Sequence, residues 1–237
     1  MPIRLLPIVP AVLMIAGCGE SAPDQADLAV VETADSAAAE VVVPGPERRI
    51  LAFGDSLFAG YGLAEDEGYP EQLEVALRDA GVNARVTDAG VSGDTTAAGR
   101  QRLAFTLDAQ ETPPDLVLLE LGGNDMLRGL PPEQTRANLE AMLAELQERG
   151  IPVLLMGMRA PPNYGTGYSE AFDAIYPALA KEYGATLVPF WLEAIYRDPA
   201  LFQDDRVHPT AEGIDALVAA TTDEVVAALP VGETEKN

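Results

Sequence analysis

From residue 48 onward, short apolar runs alternate with longer stretches of helical period. Residues 50–53, 116–119 and 153–156 are uninterrupted apolar runs, and 84–88 and 186–188 are weaker ones. Between and after them, residues 70–80, 95–109, 135–149, 169–183 and 211–228 have helical patterns. Pro70 and Gly81 mark the start and stop of the first. Leu139, Met142, Leu143 and Leu146 form one face of the third, and Ile214, Leu217, Val218 and Val225 one face of the last. Apolar strands each followed by a helix predict a parallel sheet covered on both faces. Right-handed crossovers leave few topologies. The expected fold is an α/β three-layer α/β/α sandwich, with a five-stranded parallel sheet in the flavodoxin-like order 2-1-3-4-5. No internal repeat is present.

The first 47 residues do not follow this pattern. Residues 1–17 carry one charge, Arg4, and an apolar stretch from Leu5 to Ile15 broken by Pro7 and Pro10. That stretch is short for a bilayer span and fits the apolar region of a secretory signal peptide. Ile15-Ala16-Gly17-Cys18 resembles the bacterial lipobox, which implies cleavage before Cys18 and its lipidation. Cys18 is the single cysteine of the chain. Residues 18–47 read as the lipidated cysteine and a disordered acidic tether, spanning roughly 30 Å as a flexible coil. Val41-Val42-Val43 has some strand character, ended by Pro44-Gly45-Pro46. The expected organisation is a signal peptide at 1–17, the tether at 18–47 and one folded domain at 48–237. The expected location is the bacterial cell envelope, lipid-anchored on the periplasmic face. Gly19 stands where an aspartate is associated with inner-membrane retention in enteric bacteria, so the outer membrane is favoured.

Charge narrows the partners. The formal net charge of −23 argues against nucleic acid and against electrostatic docking on anionic lipid. A monomer is expected.

Three loops carry the chemistry. The first holds Gly54-Asp55-Ser56-Leu57, the second Val91-Ser92-Gly93-Asp94-Thr95 and the third Gly122-Gly123-Asn124-Asp125. In the order 2-1-3-4-5, strands 1 and 3 flank the topological switch point. Ser56 and Asn124 then face each other across the crevice, with Gly93 beside them. A serine nucleophile needs a general base, and His208 is the only histidine. Asp205, three residues earlier, is placed for a tight turn that aims its carboxylate at Nδ1. Candidate oxyanion donors are the backbone N–H groups of Ser56 and Gly93 and the Asn124 amide. Taken singly, each has an ordinary reading: a serine or asparagine in a turn, a glycine permitting one, a histidine in a surface loop.

Together these residues resemble the SGNH hydrolases, also called the GDSL esterases and lipases. Gly54-Asp55-Ser56-Leu57 matches the first block of that family, Gly93 the second, Gly122-Gly123-Asn124-Asp125 the third and Asp205-x-x-His208 the last. The flanks of residues 120–129, 163–165 and 171–177 are similar to the bacterial acyl-CoA thioesterase, lysophospholipase and arylesterase branch. The resemblance implies a single α/β/α domain, a site without metal or cofactor, and Ser56, Asp205 and His208 as triad. It also implies an oxyanion hole from Ser56, Gly93 and Asn124. The expected substrates are lysophospholipids and acyl or aryl esters, cleaved through an acyl-enzyme on Ser56. The lipobox and tether depart from the branch and put a cytoplasmic acyl-CoA role in doubt. Phe58 replaces the second glycine of Gly-x-Ser-x-Gly, so a sharp nucleophile elbow is not expected. Other readings are a cell-wall carbohydrate O-deacetylase, a non-catalytic lipid-binding envelope lipoprotein and a flavin-binding protein, which would need a hydroxyl-rich phosphate loop that Gly54-Asp55-Ser56-Leu57-Phe58 does not supply. The stretch 159–168 is the expected substrate wall.

Overall fold

The structure, a computed structural model, describes residues 42–230. The signal peptide, Cys18 and the tether up to residue 41 lie outside the described residues. Five strands, β1 (Arg48–Gly54), β2 (Ala84–Gly90), β3 (Leu116–Leu119), β4 (Val153–Met156) and β5 (Thr186–Val188), pair in parallel. Their order is β2-β1-β3-β4-β5, as the alternating pattern predicts. The central strands are buried throughout because helices cover both faces. β2 is an edge strand and is only partly buried, which is why its apolar signal is weak. β1 and β2 run past their apolar runs: Gly54 still pairs with Gly90.

Among the described residues seven α-helices surround the sheet: α1 (Tyr69–Asp79), α2 (Thr96–Asp108), α3 (Gly123–Leu127), α4 (Pro132–Glu148), α5 (Thr166–Asp173), α6 (Ile175–Tyr183) and α7 (Ala211–Ala228). α1 packs on α7, and α4 packs on both α2 and α6. Thr95 and Thr210 cap α2 and α7, each hydroxyl accepting from a first-turn N–H. The apolar faces expected for α4 and α7 are buried.

Three local features differ from the sequence pattern. Residues 169–183 are not one helix but two, α5 and α6, broken at Ala174. Pro177 has no N–H to donate to the Asp173 carbonyl and its ring crowds that carbonyl, so the ladder is interrupted there. α3 is five residues long, too short to leave a period in the sequence. Val42 and Val43 lie in no strand. Val43 is nevertheless buried, and Asn83 Nδ2 donates to the Gly45 carbonyl at 3.0 Å, so the chain is already held against this unit before β1.

Leu118 sits in the middle of β3 with no exposed surface. Leu118→Ala is expected to cost about 2–5 kcal/mol, the usual range for a buried leucine. Urea unfolding of the two proteins checks it, and a loss below about 1 kcal/mol would contradict the packing described.

Candidate active site

The first loop leaves β1 at Gly54. Its turns close through Ala59 N–H to the Asp55 carbonyl at 3.0 Å and Tyr61 N–H to the Ser56 carbonyl at 3.2 Å. Phe58, where an elbow would carry glycine, is fully buried. Its ring stacks on Tyr69 with centroids 5.2 Å apart, and the edge of Trp191 meets both. Tyr69 is tied in turn to α7, its hydroxyl 2.6 Å from Thr221 Oγ1. An aromatic anchor thus fixes the loop two residues beyond Ser56.

His208 Nε2 lies 2.9 Å from Ser56 Oγ, and Nδ1 lies 2.6 Å from Asp205 Oδ2. A carboxylate on Nδ1 fixes that nitrogen as donor and leaves Nε2 as acceptor for the serine proton. Asp205 Oδ1 accepts from the Val207 and His208 backbone N–H groups at 2.9 and 3.0 Å. This turn needs Arg206 in the left-handed region, φ 58°. What burial there is works against the Asp205 charge. The His208 ring and the two N–H groups outweigh it and bring Asp205 down to about 2. Gln203 ties this loop down: its N–H donates to the His208 carbonyl at 2.8 Å, and its Nε2 to the carbonyls of Tyr61 and Pro209 at 2.7 and 2.9 Å. The Tyr61 ring covers the imidazole with centroids 4.4 Å apart.

Asn124 enters from α3. The helix starts directly after β3 because Gly122 adopts φ 117°, which a side chain would strain. Asn124 Nδ2 donates to Asp55 Oδ2 at 2.9 Å, using one of its two N–H groups. Gly93, at φ 85°, is held from both sides of its loop. Arg128 donates to its carbonyl at 2.8 Å. Arg102 pairs with Asp94 at 2.6 Å, donates to the Gly54 carbonyl at 2.9 Å and lies over the Phe53 ring. Asp125, fully buried, accepts from Thr96 N–H and from the hydroxyls of Thr96 and Thr135, tying α3 to α2 and α4.

Ser56, Gly93, Asn124 and His208 line one cleft of about 470 Å³. All five expected site residues are therefore brought together, Asp205 behind the histidine. The cleft wall is only partly the stretch 159–168, which contributes Arg159 and Pro161. Much of the remaining apolar lining, Phe190, Leu192, Tyr196 and Phe202, was not expected from the sequence. These come from short 3₁₀ turns and connections between β5 and α7, which no periodicity reveals. Their aromatic density before the histidine was the available signal. Arg159, Pro161, Phe190 and Tyr196 also face a second groove of about 510 Å³. Among the described residues no group of three His, Cys, Asp or Glu side chains is placed to hold a metal ion.

A serine paired through histidine to a carboxylate, at the carboxyl edge of a parallel α/β sheet, defines a serine hydrolase. The chain belongs to the GDSL-like lipase/acylhydrolase family, also called the SGNH hydrolases, whose model matches residues 52–216. It is a serine esterase of that family. It is 42% identical over 178 residues to an arylesterase from Vibrio mimicus, covering 75% of this chain and 88% of that one. It is 42% identical over 163 residues to thioesterase 1/protease 1/lysophospholipase L1 of Escherichia coli K12, covering 69% and 76%. The crystal structure of AlinE4, an SGNH-hydrolase family esterase, is 61% identical with a TM-score of 0.67, covering 79% of this chain and 100% of that one.

Asp205→Asn is expected to lower kcat by roughly 10⁴, because the amide favours the wrong imidazole tautomer. Asp204→Asn, on an exposed neighbour, should leave kcat nearly unchanged. Steady-state kinetics on a soluble ester check both, and a larger loss at Asp204 would overturn the assignment. The folded Asp205 value lies below the unfolded one of about 3.9. Its stabilising contribution is therefore complete above about pH 4 and disappears as pH falls through about 2. The stability gap between wild type and Asp205→Asn should shrink over that window; a gap that widens would contradict the sign.

Proposed function

We propose that this esterase cleaves acyl and aryl esters, including lysophospholipids, through an acyl-enzyme on Ser56. Ser56 Oγ attacks the ester carbonyl carbon while His208 Nε2 takes its proton. The carbonyl oxygen becomes an oxyanion, held by the N–H groups of Ser56 and Gly93 and by the free Asn124 N–H. The tetrahedral species collapses, and the alcohol leaves with the proton from His208. Water then repeats the sequence on the acyl-enzyme: His208 takes its proton, the oxyanion reforms, and Ser56 leaves with that proton as the carboxylic acid departs. The observation that carries this reading is the continuous chain from Asp205 through His208 to Ser56 at 2.6 and 2.9 Å, opening on a cleft with aliphatic and aromatic walls. The names of the relatives support the substrate range, thioesters among them. Trp191, the single tryptophan of the chain, is buried against Phe58 and Tyr69 and offers a sugar no platform, so it gives a carbohydrate O-deacetylase little support.

The reading includes the envelope. A lipidated Cys18 at the head of an acidic tether would hold the enzyme at a membrane without a spanning helix, since two or more acyl chains anchor stably where one does not.

Ser56→Ala is expected to abolish hydrolysis and organophosphonate labelling while changing stability little. A panel of esters graded by acyl length, with a lysophospholipid and an acetylated sugar included, tests the substrate class. Cleavage of the acetylated sugar alone would replace the proposal with the deacetylase. For the anchor, Cys18→Ser should block lipidation and processing. Mass spectrometry of the native protein decides: an unmodified Cys18, or a mature N-terminus elsewhere, would refute the anchor and leave the esterase reading untouched.

A further inference from the structure

Two carboxyl groups are buried together behind the nucleophile, and the acyl-transfer steps use neither. Asp55 and Glu120 expose almost nothing to solvent. Asp55 Oδ1 accepts from Leu57 N–H at 3.0 Å and Oδ2 from Asn124 Nδ2 at 2.9 Å. The Asp55 backbone N–H reaches Glu120 Oε2 at 3.3 Å, which sets the two carboxyl groups side by side in the interior. Nothing among the described residues donates to Glu120 Oε1. A Cβ at Gly54 would lie 2.7 Å from the Phe58 ring and 2.9 Å from both the Glu120 carbonyl and Glu120 Oε2.

Two carboxylates in contact cannot both ionise in such a place, because each desolvated charge costs several kcal/mol and they repel. One proton must stay. It belongs on the group with fewer donors. Asp55 has two N–H groups on its oxygens; Glu120 has one long N–H contact. The other titratable groups around Glu120, Tyr176 and Asp125, offer it no proton: Tyr176 donates to the Leu121 carbonyl and Asp125 accepts from threonines. Burial raises both carboxyls, Asp55 included, and with Asp55 beside it Glu120 is pushed well above its ordinary value, in keeping with the proton resting there.

We propose that Glu120 is a positioning residue of the oxyanion site. It remains a neutral acid, donates its O–H to the Asp55 carboxylate, and so secures the acceptor that aims the Asn124 amide. With one Asn124 N–H committed to Asp55, the other is directed at the place where negative charge develops. Glu120 touches no substrate and acts through Asp55 and Asn124. The proposal rests on Asn124 being an oxyanion donor.

The test compares Glu120→Gln, Glu120→Ala and Asn124→Ala on a short soluble ester. Glutamine supplies an N–H where the acid supplies its O–H, and should keep kcat within about threefold and the pH profile unchanged. Glu120→Ala should lower kcat about 10- to 100-fold with KM within about twofold, because the lost contact matters mainly to the developing charge. Asn124→Ala should lower kcat by roughly 10² to 10³. A glutamine variant as impaired as the alanine variant, or an alanine variant with normal kcat, would overturn the role. A normal kcat in Asn124→Ala would instead remove the oxyanion reading beneath it. Infrared difference spectra of wild type against Glu120→Gln give a readout independent of activity and of whether the alanine variant folds. At pH 8 the wild type should show the stretch of a protonated carboxyl that the variant lacks. Its absence from the wild type would overturn the proposal.

Discussion

The parallel register of β1 against β3 is the constraint on which the site depends. Phe53 pairs with Leu119, and the Glu120 N–H still reaches the Phe53 carbonyl at 3.0 Å. Two strands running the same way leave the sheet at the same edge, so the residues after each emerge side by side. Asp55 and Ser56 follow one strand, and Glu120 to Asn124 follow the other. On the far side of β1, the Val91 N–H bonds to the Gly54 carbonyl at 3.0 Å and brings the Gly93 loop to the same edge. A slip of one residue would carry every side chain of the strand to the opposite face of the sheet. Residues 50–53 and 116–119 are buried on both faces, so the slip is opposed along the whole strand.

The fold and the reactive groups were legible for different reasons. Uninterrupted apolar runs marked the strands because helices on both faces leave no polar side to show. Ser56, Asn124, Asp205 and His208 were legible because few residue types perform acyl transfer and the chain has one histidine. What could not be read depended on approach across space. Phe58 looks like any aromatic residue until Tyr69 and Trp191 are packed on it. The wall formed by Phe190, Leu192, Tyr196 and Phe202 lies on irregular backbone without period. Glu120 did leave a trace, a carboxyl directly after four apolar strand residues, but its meaning required Asp55 beside it. The Ala174 break was written in Pro177, and the helical pattern on either side concealed it.

Charge is distributed in an instructive way. The chain carries −23 overall and has few cations, yet Arg102 and Arg128 are both spent on the short loop of Gly93. Arg128 on the Gly93 carbonyl fixes the peptide plane that follows Gly93, and Arg102 holds Asp94, so the loop is braced directly beyond the Gly93 N–H. Asp125 does the corresponding work for α3, its buried oxygens filled by N–H and hydroxyl donors from α2 and α4. Buried polar groups with their partners supplied are rigid elements, since breaking one contact strands the other group in a low-dielectric interior. The Gly93 loop and Asn124 are thus supported by polar scaffolding, while the Ser56 loop is supported by aromatic packing.

Gln203 couples the two halves of the proton path. Its single amide group grips the carbonyl of Tyr61, on the loop of the serine, and that of Pro209, next to the histidine. Fluctuations of either loop are thereby converted into shared displacement, and the gap between Nε2 and Oγ is insulated from the difference between them. A reaction whose proton transfer falls off steeply with donor–acceptor distance is sensitive to that difference and indifferent to the sum. In mechanical terms the amide works as a spacer that rejects differential noise, letting a surface loop carry the base without the jitter surface loops ordinarily have.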